Sequence, residues 1–173
     1  MKKYLITSRE FCHEQLKEYL PEYALYRDKS NPDYTIQASH FVETCNQFEN
    51  IKSFLHQNID LAQKLGSTGV HLTSKQIELI PDAKSKNLEV IVSTHTKAEV
   101  LKAQELGADA VTYSPIFASP NKGEPKGVGD LKNLLVETEI KVFALGGVID
   151  LEQIEILKDT GVYGFASIRY FEN

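Results

Sequence analysis

Eight short apolar runs recur along this 173-residue chain, at positions 3–7, 22–26, 51–55, 69–72, 88–93, 109–113, 141–145 and 162–168. Each has the length of a strand and is too short for a buried helix. Between them lie segments with apolar residues at helical spacing, at 11–20, 35–48, 59–65, 74–86, 97–106, 131–136 and 151–160. A buried strand, a tight loop, an amphipathic helix and a further buried strand make a parallel βαβ unit with a right-handed crossover. Repeated along the whole chain, the unit predicts one domain over 1–173. Its fold class is α/β, a compact (β/α)8 TIM barrel. Only five residues follow the last strand, so the eighth helix is expected to be truncated. Such barrels usually need ~200 residues or more, so the connections here must be minimal. The alternative is an open doubly wound sheet, but no Gly-x-Gly-x-x-Gly follows the first strand, where a dinucleotide-binding sheet carries it.

Local signals sharpen the reading. Pro21 stops the first helix and Asn31-Pro32-Asp33 is a turn. The second helix is expected to turn Ile36, Phe41, Val42 and Cys45 inward. Pro81 kinks or breaks 74–86, Thr96 caps the helix after it, and Gly66 and Gly107 end helices. The stretch 123–129 holds three glycines and a proline and is expected to be neither helix nor central strand.

The net charge of -5 and the lack of a basic cluster argue against nucleic acid, which needs a concentrated positive face. No apolar run approaches the ~20 residues of a membrane span. The lysines at the N-terminus lead into a strand that ends at Ser8-Arg9-Glu10, which is no signal peptide. Cys12 and Cys45 form no ligand or redox spacing, so a reduced, cytoplasmic chain is expected.

In a barrel the residues just after each strand share one mouth. Here they include Ser8, Arg27, Lys29, His56, Gln57, His71, Ser93, His95, Ser119, Asn121, Lys122, Gly146, Gly147, Ser167 and Arg169. Four of them are fixed cations on an acidic chain, which predicts an anionic, phosphorylated small-molecule ligand. Gly146 and Gly147 follow the seventh strand, and Ser167 and Arg169 follow the eighth, which is the usual phosphate position in these barrels. The helix start after Asp150 is expected to add a positive dipole end there. Pro115 and Pro120 break the chain after the sixth strand and deliver Ser119, Asn121 and Lys122 on a loop suited to covering a ligand. His56 can titrate near neutral pH and is a candidate for proton transfer, with His95 beside it. His71, flanked by apolar residues, reads as a barrel-interior histidine with a satisfied hydrogen bond. His13 and His40 lie on helices facing solvent. No histidine stands at metal-ligand spacing, so no metal ligand is assigned.

Several strings fall in one family order: Tyr26-Arg27-Asp28-Lys29, Asp60-Leu61-Ala62, Gly69-Val70-His71-Leu72, Ser93-Thr94-His95-Thr96, Gly107-Ala108-Asp109-Ala110, the run from Pro115 to Lys122, and Ala144-Leu145-Gly146-Gly147-Val148. In that order they resemble the thiamine phosphate synthase/TenI superfamily, whose fold is a (β/α)8 barrel. The resemblance implies a thiamine-biosynthesis protein. Synthase members join a pyrimidine methyl diphosphate to a thiazole phosphate with Mg²⁺ and release diphosphate; TenI members include thiazole tautomerases, which work by proton transfer. By position, Arg27, Lys29 and Lys122 resemble the diphosphate-binding residues, Ser93 the serine near the pyrimidine, and Gly146, Ile168 and Arg169 the thiazole phosphate site. Ser119 and Asn121 stand where synthases have a Thr-Pro-Thr stretch. The chain departs where the synthases hold Mg²⁺: His56-Gln57 replaces an Asn-Asp pair, and Thr73-Ser74-Lys75-Gln76 contains no acid. It also has Pro115 where the tautomerase has a catalytic histidine.

The expected activity is therefore TenI-like: tautomerase or thiazole-phosphate handling, with His56, His95 and Lys122 as catalytic candidates and no cofactor. The alternatives are a thiamine phosphate synthase that needs Mg²⁺, and a non-catalytic binding or regulatory protein on the same fold. One expectation concerns assembly. With no eighth helix, Val162, Tyr163, Tyr4 and Ile6 would be bare at the seam, and a homodimer would cover them.

Overall fold

The computed structural model describes residues 1–7 and 13–172. The expected helix start at Phe11, the thiol Cys12 and the strand-end Ser8 lie outside the described residues. The chain runs β1 (Lys2–Thr7), α1 (His13–Tyr19), β2 (Tyr23–Tyr26), α2 (Tyr34–Cys45), β3 (Lys52–His56), α3 (Ile59–Leu65) and β4 (Gly69–Leu72). A 3₁₀ segment, Ser74–Leu79, leads into α4 (Ile80–Ser85), β5 (Glu89–Thr94), α5 (Lys97–Glu105) and β6 (Ala110–Tyr113). Then come α6 (Gly127–Glu137), β7 (Lys141–Leu145), α7 (Leu151–Lys158), β8 (Gly164–Ser167) and a 3₁₀ turn, Arg169–Glu172. The strands are parallel and close in sequence order, with β1 paired to β2 from Tyr4↔Tyr23 and to β8 from Lys2↔Gly164. The (β/α)8 expectation holds, with its truncated eighth helix.

Alternation along the strands divides the core in two. Leu5, Ala24, Leu55, Val70, Val90 and Val142 face out onto the helices, where they meet Leu16, Phe41, Ile80, Val100, Leu131 and Leu157. Tyr4, Tyr23, Phe54 and Phe143 fill the inside floor with rings whose centroids lie 5.0–6.0 Å apart. Rings of this size leave no room for a side chain at the paired position on the neighbouring strand, Gly69 beside Phe54 and Gly164 beside Phe143. A Cβ on Gly69 would come within 2.5 Å of Phe54, and one on Gly164 within 2.6 Å of Phe143. The two glycines thus fit the bottom of the barrel to its aromatic filling.

Two local expectations change and a third holds. Ile36 is 57% exposed; the buried stripe of α2 is Ala38, Phe41, Val42 and Cys45, spaced i, i+3, i+4, i+7. Helix α6 starts at Gly127, inside the glycine-rich stretch. Its start is tied down from outside, since Lys126 N–H donates to Pro115 O and Gly127 N–H to Ile116 O. Pro81 does break 74–86, into a 3₁₀ segment and a helix with the proline in its first turn.

The seam is not bare. Tyr4 and Ile6 point into the barrel, and Tyr163 reaches the same interior floor through Phe143, at 5.3 Å between ring centroids. Val162 is 6% exposed. Outside, Phe171 stacks on Phe165 at 5.9 Å and meets Tyr19 of α1 edge-on at 5.3 Å. The first helix and the C-terminal aromatics cover β8 within one chain, which removes the reason given for a dimer at this place. Phe171→Asp would put a carboxylate into that stack, so it is expected to cost about 4 kcal/mol or more in urea unfolding, whatever the oligomeric state.

Candidate functional site

The C-terminal ends of the strands enclose a cavity of about 480 Å³. The alternation that puts rings on the floor puts polar groups higher up: His56 on β3, His71 on β4, Ser93 on β5 and Ser114 just beyond β6. Of the residues expected at the mouth, Arg27, Lys29, His56, His71, Ser93, His95, Ser119, Lys122, Gly146, Gly147, Ile168 and Arg169 line the cavity. Gln57 and Asn121 do not. Both adopt left-handed backbone conformations, with φ 66 and 61, at turns that leave their side chains exposed outside the cavity. Gln57 N–H is committed to His71 O at 2.9 Å. Ser114, Thr73 and Ser74 line the wall without having been singled out from the sequence.

Among the described residues no carboxylate lines the cavity, although the chain has 24 acids against 19 fixed cations. Arg27, Lys29, Lys122 and Arg169 have no carboxylate partner among the described residues. Their crowding has a consequence: Arg27 foremost, then burial and Lys122, pushes the Lys29 ammonium below its ordinary pKa. Burial, Arg27 and Lys29 push His56 down to about 4, so its imidazole is neutral near pH 7. A pocket in which like charges depress one another's pKa values binds an anion with gain at each.

Gly146 and Gly147 have a second role that position alone did not reveal. Their φ angles are 98 and 72, and the strap at 115–118 lies directly on them. A Cβ on Gly146 would meet Pro115 Cα at 2.8 Å, and one on Gly147 would meet Ala118 O at 2.6 Å. The strap continues the ladder of β7, with Ile116 N–H donating to Leu145 O and Phe117 N–H to Gly146 O. Ser167 Oγ–H donates to Val148 O at 2.7 Å, which ties the loop after β7 to the end of β8. The amide hydrogens of Gly147 and Val148 have no acceptor among the described residues. The start of α7, by contrast, is closed. Asp150 accepts from Glu152 N–H and Gln153 N–H, and Gln153 accepts from Ile149 N–H and Asp150 N–H. An aspartate cap neutralises the dipole end that was expected to help hold a phosphate. The hydrogen-bond donors without a partner among the described residues at this part of the cavity wall are the Gly147 and Val148 amides, and Arg169 lines the same cavity.

Two tyrosines support the mouth. Tyr34, at the start of α2, accepts from His56 N–H at 3.1 Å and donates to Tyr26 O at 3.0 Å. It thereby fixes the ends of β2 and β3 that carry Arg27 and His56. Tyr4 rises from the floor to His71 Nδ1 at 2.8 Å, and His71 Nε2 lies 2.8 Å from Ser93 Oγ. His95 is exposed, with long contacts from Nδ1 to Ser114 O (3.4 Å) and Ser114 Oγ (3.3 Å). The hydrogen-bonding partners expected of His71 are present.

The residues at the two acid positions of the synthases do not fit Mg²⁺. Gln76 Oε1 accepts from Thr73 N–H at 3.1 Å and Thr73 Oγ1–H at 3.3 Å, completing a capping box. Its Nε2 reaches Gln57 O at 3.4 Å. The Gln76 amide thus ties the loop after β4 to the backbone of the loop after β3, and neither glutamine offers an anionic oxygen to a hard dication. Among the described residues no cluster of three His, Cys, Asp or Glu could hold a metal ion, and no helix is long and apolar enough to cross a membrane.

Comparison with known proteins shows the family and the fold across the chain. The family pattern described as thiamine monophosphate synthase matches residues 3–171. The thiamine-phosphate synthase of Fusobacterium nucleatum is 28% identical over 182 residues, covering 96% of this chain and 87% of that one. An Aquifex aeolicus relative is 32% identical over 120 residues, covering 68% of this chain and 64% of its own length. The thiamine phosphate pyrophosphorylase structure from Pyrococcus furiosus superposes with a TM-score of 0.82 at 26% identity, over 96% of this chain and 85% of that one.

Two measurements test this geometry. Gly147→Ala places a Cβ against the strap at a left-handed φ, so it is expected to lower unfolding free energy by about 2 kcal/mol or more, read by urea denaturation. The histidines predict the pH dependence. His56 is pushed down to about 4, and His71 to about 3 by burial, then His56 and Arg27. Between the ordinary value of about 6.5 and these values the unfolded chain binds more protons than the folded one, so stability falls as pH falls through that window. The slope is expected to reach ~1 kcal/mol per pH unit from His71, with less from the half-buried, better-screened His56. Equal stability at about pH 7 and about pH 4 would contradict the assignment.

Proposed function

The chain belongs to the thiamine monophosphate synthase family, and from that premise we propose that it binds a thiazole phosphate at the barrel mouth and handles it without a divalent metal. The reading is TenI-like: an isomerase of the thiazole carboxylate phosphate, not a synthase that releases diphosphate. The observation that carries it is the donor set. Four fixed cations and three histidines line the cavity, no carboxylate among the described residues does, and the residues at the synthases' metal positions are glutamines, with the Gln76 amide bonded to Thr73 and to the Gln57 backbone carbonyl.

In this reading the phosphate lies at the Gly147 and Val148 amide hydrogens, with Arg169 beside them. A carboxylate at the other end of the ligand meets Arg27, Lys29 or Lys122. Between these ends stands His56, whose ring nitrogens have no partner among the described residues. A neutral imidazole can take a proton from a ring carbon and return it at another position, which is the chemistry an isomerisation needs. An anion bound beside Arg27 and Lys29 offsets the charges that depress its pKa and brings it closer to the working pH. His95, exposed at the rim, is the second candidate. Lys122 is carried on the loop over the cavity, where its charge meets the ligand once the loop lies across it.

The names of the relatives favour a second reading, the synthase, in which the pyrimidine diphosphate and thiazole phosphate are joined. The two readings differ in product. Thiazole carboxylate phosphate followed by proton NMR is expected to isomerise with EDTA present, and His56→Gln is expected to slow it about a hundredfold or more, as loss of a general base does. Release of diphosphate from the two synthase substrates is expected to be negligible with or without Mg²⁺. Mg²⁺-dependent release would overturn the reading in favour of the synthase. Binding of thiazole phosphate with neither reaction would leave a binding or regulatory protein.

A further inference from the structure

Tyr4, His71 and Ser93 form a hydrogen-bonded line from the barrel floor to the cavity, with 2.8 Å at each step. The arrangement has the outline of a nucleophile triad, in which histidine takes the serine proton while a third residue accepts a hydrogen from its other nitrogen. The third residue sets the direction of every hydrogen in the line. In a triad it is a carboxylate, which only accepts; here it is a phenol, which carries a hydrogen of its own.

That hydrogen has one place to go. Tyr4 has no exposed surface, its ring is enclosed by Tyr23, Phe54 and Phe143, and His71 Nδ1 is its one hydrogen-bonding partner among the described residues. If Nδ1 carried the hydrogen, the phenol would be a buried donor with no acceptor. Burial keeps the phenol protonated, its pKa raised well above the ordinary value, and keeps His71 neutral, pushed down to about 3. A neutral imidazole has one N–H, and with Nδ1 accepting it sits on Nε2. Nε2–H then donates to Ser93 Oγ. The Ser93 hydrogen cannot return to Nε2, and the remaining direction is the cavity that Ser93 lines.

We infer that Tyr4 is a positioning residue that locks His71 in the Nε2–H tautomer and, through it, fixes Ser93 as a hydrogen-bond donor to the ligand and not a nucleophile. The ligand atom that meets Ser93 is accordingly an acceptor, such as an unprotonated ring nitrogen or an anionic oxygen. The inference does not depend on which reaction the mouth serves.

The tautomer can be read on the full chain without any ligand. Two-bond proton–nitrogen correlation on ¹⁵N-histidine-labelled protein at neutral pH, with His71 assigned by the loss of its signals in His71→Asn, is expected to show a protonated Nε2. Nδ1 is expected at the position of a hydrogen-bonded acceptor. In Tyr4→Phe, Nδ1 is expected to shift toward the free-acceptor position, or the second tautomer to appear. A protonated Nδ1 in the parent protein would overturn the inference, and an unchanged His71 pattern in Tyr4→Phe would remove Tyr4 from it. If Tyr4→Phe does not fold, the parent spectrum still decides the tautomer. Phenylmethylsulfonyl fluoride supplies an independent reading: the mass of the Ser93 peptide is expected to stay unchanged, and stoichiometric sulfonylation there would contradict the donor role.

Discussion

In a closed parallel barrel every strand side chain points either into the barrel or onto the helices, and the direction alternates from residue to residue. With strands of four to six residues, each strand contributes few inward positions, and the same register assigns all of them. Tyr4, Tyr23, Phe54 and Phe143 take the lower positions and leave Gly69 and Gly164 as the residues that fit beside them. The next inward positions up, Ile6, Leu25, His56, His71, Ser93 and Leu145, become the cavity wall. The polar line from Tyr4 to Ser93 crosses from one layer to the other, so floor packing and mouth chemistry are physically joined. A one-residue slip in any strand would exchange its wall with its helix-facing surface.

The charge arrangement follows from what the strand ends carry. Among the described residues several acids are engaged elsewhere: Glu22 pairs with Lys2, Asp109 with Lys84, and Asp60 and Asp82 with Lys86. The mouth keeps Arg27, Lys29, Lys122 and Arg169 without such partners among the described residues. Lys29 registers the crowding as a depressed pKa, and His56 is depressed by burial first and then by Arg27 and Lys29. A site that repels its own protons is poised for an anion, and the neutral imidazole next to it is a proton acceptor whose strength rises when that anion arrives.

Much of this was legible in the sequence, because strand ends are marked by composition. The eight apolar runs, the break at Pro81, the caps at Thr96 and Gly66, and the gathering of basic residues behind the strands all read correctly. What was not legible depended on contacts between distant residues. Tyr4 read as a seam residue, because one short apolar run does not say which of its faces turns inward. Gln57 and Asn121 stand next to true wall residues, but a left-handed backbone turns each away. Gly127 was read as a helix breaker, while bonds from a strap ten or more residues earlier hold the helix start in place. Asp150 was read as marking an open dipole end, and its own side chain closes it. Tyr34 gave no sequence signal beyond its aromatic ring, although its hydroxyl fixes the ends of two strands.

The central claim is that fixed cations and backbone amides, not a metal ion, bind the phosphorylated ligand. Isothermal titration of the full chain with thiazole phosphate, once in EDTA and once in excess Mg²⁺, addresses it directly. The account predicts saturable binding in both buffers with the same Kd, within about a factor of two, since no carboxylate among the described residues lines the mouth to recruit the ion. Binding that appears only with Mg²⁺, or tightens tenfold or more in its presence, would contradict it.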